Sequence, residues 1–196
     1  MYEALMNDIR IRTATKADVP AMLAIYAPYV RETAISFEYE VPSVEEFGAR
    51  LERTLSRYPW LAAEKDGNIL GYAYASAFHP RKAYDWCAEA SIYVAQDARG
   101  RGLGAALYAA LETLLKRQNI LVLYACIARP PQEDAHLTCA SIRFHTRMGY
   151  RTVGEFPRCG FKFDTWYDMV WMEKRLAEPA APPAPVLPFP AVETKG

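Results

Sequence analysis

The sequence predicts a single α/β domain, and three observations support this fold class. The chain has 196 residues, 52% of them hydrophobic, which is enough for one domain with a substantial core. Segments with strand and helix periodicity alternate along most of the chain. Near the middle, an apolar strand pattern at 90–95 leads into a glycine-rich turn and then into an amphipathic helix.

Hydrophobic periodicity and local stop signals divide the chain into strands and helices. The predicted elements are a strand at 9–13, a helix from 15 to about 30, a helix from 43 that ends before Pro59, strands at 60–63, 69–76 and 85–95, a helix from 103, a strand at 120–127, a helix at 138–148, and strands at 151–158 and 165–174. From 178 onward the chain is rich in Pro and Ala without periodicity, which predicts an extended, poorly packed tail. The predicted organisation is a domain at 1–176 and a tail at 177–196.

Residues with special local conformations mark the ends of several elements. Thr15-x-x-Asp18 and Ser43-x-x-Glu46 have the spacing of a capping box, which starts a helix. Asp66-Gly67-Asn68 predicts a tight hairpin turn, and Gly149 is typical of the residue just after a helix. Residues 120–127 are continuously apolar, which predicts a strand buried on both faces.

The balance of charges argues against two classes of partner. Lys+Arg and Asp+Glu both number 23, so the formal net charge is zero. A general nucleic-acid or membrane-surface binder needs an excess of basic residues. The sequence has no signal-peptide pattern and no apolar run of membrane-spanning length, so we expect a cytoplasmic location.

The cysteines are expected to be free. Cys87, Cys126, Cys139 and Cys159 form no C-x-x-C pair, and buried thiols in a reducing compartment are the preferred interpretation. His136 and Cys139 are three residues apart, but two ligands without a nearby third make a weak zinc site. We therefore expect no metal cofactor.

The turn Arg99-Gly100-Arg101-Gly102-Leu103-Gly104 is the strongest chemical signal in the chain. Glycines permit positive φ and close backbone approach, and a helix N-terminus adds free N–H groups and the positive end of its dipole. With two arginines added, the expected ligand is a phosphate or pyrophosphate. The spacing fits neither the G-x-x-x-x-G-K-[ST] loop nor the G-x-G-x-x-G fingerprint. A turn that only caps the helix is the alternative.

The remaining pattern, Arg99-x-x-Gly102-x-Gly104, resembles the pyrophosphate-binding signature of the GCN5-related N-acetyltransferases (GNAT), which bind acetyl-CoA. Further segments resemble the phosphinothricin N-acetyltransferase branch of that family. They are Tyr58-Pro59-Trp60-Leu61-Ala62-Ala63-Glu64, Arg81-Lys82-Ala83-Tyr84-Asp85-Trp86, Ser141-Ile142-Arg143-Phe144-His145 and Gly160-Phe161-Lys162. The resemblance extends from about Ile9 to Leu176. It implies the GNAT fold, an α/β arrangement with a mixed, twisted and splayed central sheet flanked by helices, and a homodimer with two sites near the interface.

Glu89 is a carboxylate in the otherwise apolar strand that leads to the glycine-rich turn. Glu89, Ser91 and Tyr93 share one side of that strand. Burial would raise the pKa of Glu89 and make it a more effective base near neutral pH. A structural carboxylate paired with a nearby Arg or Lys is the alternative.

The resemblance implies roles for individual residues. Glu89 lies where the branch has its proposed general base, Arg81 and Tyr84 lie in its substrate-binding loop, and Phe37 matches an aromatic of its substrate pocket. His145 and Tyr108 are candidates to protonate the CoA thiolate, although a core or surface role is an equally valid interpretation for both. The implied cofactor-binding residues are Ile92, Tyr93, Val94, Arg99, Gly100, Arg101, Gly102, Leu103, Gly104, Ala105 and Ser141.

Together these residues predict an N-acetyltransferase in which an amine attacks acetyl-CoA directly within a ternary complex. The resemblance suggests the α-amine of a small amino acid or analogue, such as phosphinothricin, methionine sulfone or methionine sulfoximine. Acetylation of peptide or protein N-termini and a non-catalytic CoA-binding module are alternatives, and an acetyl-Cys route through Cys87 is a minor one.

One departure from the branch pattern concerns the acceptor side. Thr138 stands where the branch typically has Asn, and the preceding segment, 128–137, is longer and contains Glu133, Asp134 and His136. We expect this segment to lie near the cofactor and the acceptor, so the departure leaves the natural acceptor open.

Overall fold

The computed structural model describes residues 8–193, and its centre is a seven-stranded sheet. The strands are β1 (Arg10–Thr13), β2 (Trp60–Lys65), β3 (Asn68–Ala77), β4 (Cys87–Val94), β5 (Val122–Arg129), β6 (Arg151–Lys162) and β7 (Thr165–Arg175). They lie in the order β1-β2-β3-β4-β5-β7-β6. Every neighbouring pair is antiparallel except β4 and β5, which are parallel, so the sheet is mixed as predicted.

Helices cover both faces of the sheet and enclose two separate cores. The helices are α1 (Val19–Glu32), α2 (Val44–Leu55), α3 (Leu103–Arg117), α4 (Ala140–Arg147) and α5 (Phe189–Val192). On one face, α1 and α2 pack on β2 and β3 through residues such as Met22, Phe47 and Tyr72. On the other face, α3 packs on β2, β3 and β4, and Leu107 of α3 and Leu123 of β5 are fully enclosed in the shared core. No helix within residues 8–193 combines the length and apolar character needed to cross a membrane.

The sheet is splayed between β4 and β5. Their parallel pairing covers only Cys87 with Val122, Ala88 with Leu123, and Glu89 with Tyr124. Beyond those pairs β4 continues to Val94 and β5 to Arg129 without facing each other in a ladder. We call the gap between residues 90–94 and residues 125–129 the fork, and Glu89 lies at its closed end.

Most local signals in the sequence are confirmed. The capping box of Thr15 and Asp18 is present, although it opens a short 3₁₀ turn that precedes α1. Asp66 and Gly67 both have positive φ, 50° and 77°, which is the backbone that a two-residue hairpin turn requires. Gly149 has φ of 88° just after α4, where only a residue without a Cβ adopts that conformation easily.

The prediction that 120–127 is buried on both faces is wrong for one face. The strand begins at Val122, and its Leu123 and Ala125 are buried on the α3 side. Tyr124 and Cys126 on the opposite side are only half-buried. They lie on that side because paired residues of parallel strands point the same way, so Tyr124 shares the side of Glu89 and faces the fork region.

The expectation of a poorly packed C-terminal tail is also wrong. Phe189 is only 1% exposed and lies within a short helix that packs beside α3. The buried amide of Gln118 donates a hydrogen bond of 2.8 Å to the Leu187 carbonyl, and the Trp86 indole donates one of 2.7 Å to the Ala184 carbonyl. These contacts join residues far apart in sequence, so periodicity within the tail could not reveal them.

The cysteines are unpaired, as predicted, but they are not fully buried. Cys87, Cys126 and Cys139 are half-buried, and Cys159 is exposed. Within residues 8–193, no group of three or more His, Cys, Asp or Glu side chains is arranged to hold a metal ion.

Candidate active site

Glu89 is a half-buried carboxylate at the closed end of the fork. Its neighbours Ala88 and Ala90 point into the α3-side core, so Glu89 points to the side of α1 and α2. Burial raises its pKa above that of an ordinary glutamate. Among the described residues it has no ion-pair or hydrogen-bond partner for its side chain, which disfavours the alternative of a paired structural carboxylate.

Besides burial, the charge of Glu89 raises the pKa values of two nearby side chains, Cys126 and Tyr74. Burial raises the pKa of the Cys126 thiol to about 12, and the charge of Glu89 adds to the effect. The pKa of Tyr74 is raised by burial, opposed by a hydrogen bond with Ser91, and raised further by Glu89. The Glu89 side chain on β4 therefore lies near residues of both neighbouring strands, Tyr74 of β3 and Cys126 of β5.

The edge of β4 that faces the fork has open backbone groups. The Ala95 N–H donates to the Leu70 carbonyl of β3, whereas the Val94 N–H points the other way and donates to the Tyr29 hydroxyl. Because backbone groups alternate between the two edges of a strand, those of Ile92 and Ala90 also face the fork. The Glu89–Tyr124 pair that ends the ladder uses the Ala90 N–H as donor to the Tyr124 carbonyl, so the groups without a partner on β5 begin at the Ala90 carbonyl and include those of Ile92.

Tyr29 occupies the outer part of this edge. Its hydroxyl accepts the Val94 N–H at 3.0 Å and donates to the Val94 carbonyl at 2.6 Å. The Arg99 guanidinium lies over the same ring, 4.8 Å from its centre. Sequence analysis did not identify Tyr29, since its contact with Val94 spans 65 positions and no local pattern signals it.

The glycine-rich turn presents an open helix N-terminus. Gly100 and Gly102 have positive φ of 72° and 80°, and the first helical hydrogen bond is donated by the Ala106 N–H to the Gly102 carbonyl. The N–H groups at 103–105 lack a protein partner within the part of the chain described here. Unpaired N–H groups and the helix dipole favour an anion, and the exposed Arg101 adds charge.

Gly104 serves helix packing as well as the turn. A Cβ at this position would lie 3.2 Å from the Phe144 ring and 3.5 Å from Ile92. The glycine therefore lets α4 approach α3 closely, a role that the sequence pattern did not separate from ligand binding.

Tyr108 and His145 form a buried pair on the α3 side. They are 1% and 3% exposed, and the Tyr108 hydroxyl lies 3.0 Å from His145 Nε2. His145 Nδ1 donates to the Ser141 carbonyl at 2.8 Å, so Nε2 accepts from the tyrosine and the ring is neutral. Burial lowers the pKa of His145 to about 4. Their enclosure favours the core interpretation that the sequence left open, and Ser141 contributes its carbonyl to this pair.

Arg81 and Tyr84 lie in a loop that is attached beside Glu89. The Phe78 ring of this loop stacks on Tyr124 with centres 4.2 Å apart, and Tyr84 packs edge-on against Phe78 at 5.9 Å. Tyr124 is the strand partner of Glu89. Arg81 is exposed and its side chain has no partner among the described residues, so its guanidinium is available to a ligand.

Phe37 approaches the fork from the opposite direction. Its ring lies against Gly160, where a Cβ would be 2.0 Å from Phe37 Cε2. It also packs near Tyr167 of β7, with ring centres 6.3 Å apart. The structure thus brings Phe37, Glu89 and the Arg81 loop to one side of the sheet.

A pocket of about 470 Å³ lies elsewhere, between α1 and the β2–β3 turn. Its lining is mostly apolar and includes Ile25, Pro28 and Asn68. It does not contain Glu89 or the Arg81 loop, so the chemistry of the fork is separate from this cavity.

Comparisons with known proteins agree with this geometry. Residues 11–171 match the family profile described as "Acetyltransferase (GNAT) domain". Phosphinothricin N-acetyltransferase from Streptomyces viridochromogenes is 34% identical over 180 residues, covering 92% of this chain and 94% of the relative. L-methionine sulfoximine/L-methionine sulfone acetyltransferase from Pseudomonas paraeruginosa is 35% identical over 168 residues, covering 85% and 94%.

A solved structure shows the same fold. The crystal structure of a GNAT superfamily phosphinothricin acetyltransferase from Sinorhizobium meliloti, in complex with acetyl-CoA, superimposes with a TM-score of 0.81 at 29% identity. The match covers 93% of this chain and 98% of the other. The family profile, these relatives and the shared splayed sheet show that the chain belongs to the GNAT family, in its phosphinothricin N-acetyltransferase-like branch, and is an acetyl-CoA-dependent N-acetyltransferase.

Proposed function

We propose that this enzyme acetylates the α-amine of a small amino acid or analogue of the phosphinothricin, methionine sulfone or methionine sulfoximine type. One observation carries the proposal. An unpaired, half-buried carboxylate, Glu89, lies between an open strand edge and a loop that presents a free guanidinium, Arg81. The names of the relatives support this acceptor class.

Glu89 acts as the general base in this proposal. Even the α-amine of a peptide has a pKa near 8 and is mostly protonated at pH 7, so the amine must lose a proton before it can attack. Glu89 takes that proton directly or through a water molecule, and its raised pKa makes it a stronger base than an exposed glutamate. The amine nitrogen then bonds to the thioester carbon, the C–S bond breaks, and the thiolate leaves to receive a proton.

The edge of β4 and the turn hold acetyl-CoA. The Ala90 carbonyl and the Ile92 backbone offer hydrogen bonds to the pantetheine arm, and the Ile92 N–H is the donor available to the oxyanion that forms during attack. The turn from Arg99 to Ala105 takes the pyrophosphate. No nucleophilic side chain is required, since both substrates react within one complex.

Substitution of Gly102 tests the pyrophosphate site. Gly102→Val adds a branched side chain at a φ of 80°, which strains the turn and blocks approach of a ligand to its N–H groups. We expect the Kd for acetyl-CoA in calorimetric titration to rise by about tenfold or more. Gly67→Val is the matched control, because Gly67 has φ of 77° in a distant hairpin turn. Equal affinity in the two folded variants would contradict the assignment.

Substitution of Glu89 tests the base. Glu89→Gln should leave acetyl-CoA binding unchanged and lower kcat by about two to four orders of magnitude. The acidic limb of the pH–rate profile should disappear with it. Glu178→Gln, in the exposed stretch after β7, is the control carboxylate. Near-normal turnover of Glu89→Gln at pH 7 would mean that the base lies elsewhere.

The raised pKa of Glu89 also predicts a change in stability. A carboxyl group whose pKa is higher in the folded state stabilises the fold when protonated, and this contribution is lost as pH rises through the folded pKa. Glu89→Gln should therefore raise the Tm at neutral pH and have little effect below about pH 4, where an ordinary glutamate is protonated. A lower Tm of Glu89→Gln at pH 7 would instead mean that the ionised Glu89 carboxylate has a favourable partner in the folded protein.

Substitution of Arg81 tests the acceptor class. A planar guanidinium suits a carboxylate or phosphinate, so Arg81→Ala should raise KM for an amino acid by roughly 10- to 100-fold. KM for the corresponding amide and for acetyl-CoA should barely change. Lys82→Ala, the neighbouring exposed cation, is the control for a merely solvated basic loop. Equal losses for charged and uncharged acceptors would remove the support for this acceptor class.

An assay of CoA thiol release over a panel of amino acids, their analogues and short peptides separates the alternative functions. Short peptides acetylated faster than free amino acids would favour a peptide N-terminal acetyltransferase. Binding of CoA without thiol release over the whole panel would favour a non-catalytic module.

We also propose that the enzyme is a homodimer assembled through the β6 side of the sheet. β6 is the terminal strand and pairs only with β7. Large apolar side chains are exposed there, among them Phe156, Phe161 and Trp166, at 52%, 43% and 53%. Sedimentation velocity should show a dimer that Phe156→Asp dissociates, and a monomer at micromolar concentration would contradict the proposal.

A further inference from the structure

The segment 33–38 crosses the α1/α2 side of the fork and touches structure on both arms. Toward β4, the Ser36 hydroxyl bonds to the Tyr26 hydroxyl at 2.7 Å, and the Tyr26 ring packs edge-on against Tyr93 of β4 at 4.8 Å. Toward β5 and β7, Ala34 and Phe37 join a small core that includes Ala128 of β5. The position of this segment therefore decides where the Phe37 ring lies relative to the fork.

Lys162 of β6 ties this segment to the end of α1. Its buried ammonium donates to the carbonyls of Val30, Thr33 and Ser36 at 2.7, 2.9 and 2.7 Å. All three of its protons are used. Val30 lies in the last turn of α1, and Thr33 and Ser36 lie in segment 33–38. Through Lys162, the β6–β7 hairpin therefore holds segment 33–38 against the end of α1.

A second attachment comes from the segment 130–137, where the chain departs from the branch pattern. The Ala34 N–H donates to the His136 carbonyl at 3.1 Å, and His136 Nδ1 donates to the Glu32 carbonyl at 2.9 Å. The His136 ring also stacks on Phe163 of the β6–β7 turn, with ring centres 3.9 Å apart and an interplanar angle of 8°. His136 thus joins three elements that surround Phe37.

The segment 130–137 has its own support, so it can act as a fixed attachment. The Asp134 carboxylate accepts the N–H groups of His136 and Leu137, both at 2.7 Å, and the Tyr167 hydroxyl at 3.2 Å. Leu137 is 3% exposed and lies in the same small core as Ala34. The backbone of 130–137 is therefore fixed, and its bond from the Ala34 N–H to the carbonyl of residue 136 does not depend on the side chain there. The His136 side chain adds the bond to the Glu32 carbonyl and the stack on Phe163.

We propose that His136 is a positioning residue that sets acceptor specificity, because it fixes segment 33–38 and with it the Phe37 wall of the acceptor site. This inference rests on the proposed function, in which Phe37 contacts the acceptor side chain. An acceptor with a long side chain depends on the wall, whereas one with a short side chain depends on it much less. A histidine suits the position because one ring supplies both the Nδ1 donor and the flat face for Phe163.

Kinetics with two acceptors test the inference. In His136→Ala, kcat/KM for methionine sulfone relative to alanine should fall by about 3- to 30-fold, with KM for acetyl-CoA unchanged. His136→Asn keeps an amide donor and His136→Phe keeps the stacking face, so both should lie between wild type and His136→Ala. Gln132→Ala, an exposed neighbour in the same segment, should behave as wild type. Equal losses for both acceptors, or the same loss in Gln132→Ala, would overturn the proposal.

Hydrogen exchange gives a readout that does not need turnover. His136→Ala should speed exchange in both 130–137 and 33–38, while α3 and the β2–β3 hairpin keep wild-type protection. Unchanged exchange in 33–38 would overturn the positioning role whatever the kinetics show. If wild-type enzyme acetylates none of the tested amines, the proposed function fails, and exchange alone then decides whether His136 holds segment 33–38.

Discussion

The short parallel ladder between β4 and β5 is the constraint on which the rest of the structure depends. It holds the two halves of the sheet together through three residue pairs and then ends at Glu89 and Tyr124. Because a parallel pair needs its partner strand alongside, the diverging strands leave the Ala90 carbonyl and the backbone groups of Ile92 without a ladder bond to β5. In the proposed function, the pantetheine arm of acetyl-CoA binds along this strand edge, because it also carries hydrogen-bond donors and acceptors.

The two arms of the fork share the α3-side core but are held apart by different contacts on the opposite side and along the sheet. The β4 arm belongs to the half of the sheet packed by α1 and α2, and Tyr29 extends that packing to the Val94 backbone. The β5 arm is fixed by its long antiparallel ladder with β7, which runs from Val122 to Arg129. Closing the fork would break that ladder or the α1 contacts, so the opening is part of the stable fold. Segment 33–38 crosses between the arms, so its position sets that of the Phe37 wall in the proposed acceptor site.

Two other carboxylates that are removed from water, those of Asp18 and Glu112, are paired with basic side chains, whereas Glu89 has no such partner among the described residues. Asp18 is buried but held by Arg12, whose guanidinium keeps the pKa of that carboxyl at about 2 against the opposing effect of burial. Glu112 of α3 is also buried but accepts two bonds of 2.7 Å from Lys174. A carboxylate removed from water normally has such a partner, because desolvation of an isolated charge is costly. Glu89 lacks one among the described residues, and a group in that condition is available for proton transfer.

The sequence by itself determined the features that depend on neighbouring residues. These include the capping box at Thr15, the hairpin turn at Asp66-Gly67, the glycine turn before α3 and the side of β4 on which Glu89 lies. Each follows from the dihedral preferences of a few residues or from the two-residue period of a strand. The family resemblance, which also rests on the sequence alone, implies that Glu89, Arg81 and Phe37 belong to one site.

Only the tertiary structure decided which distant segments meet. Several features depend on residues separated by tens of positions. They are the half-buried side of β5, the burial of Phe189, the enclosed pair of Tyr108 and His145, and the contacts of Tyr29 and His136. One sequence motif, Gly160-Phe161-Lys162, did mark the place, but it could not show that Gly160 receives the Phe37 ring or that Lys162 binds three carbonyls. Local preferences restrict a residue's own backbone, whereas burial and long-range hydrogen bonds depend on how the whole chain closes around its two cores.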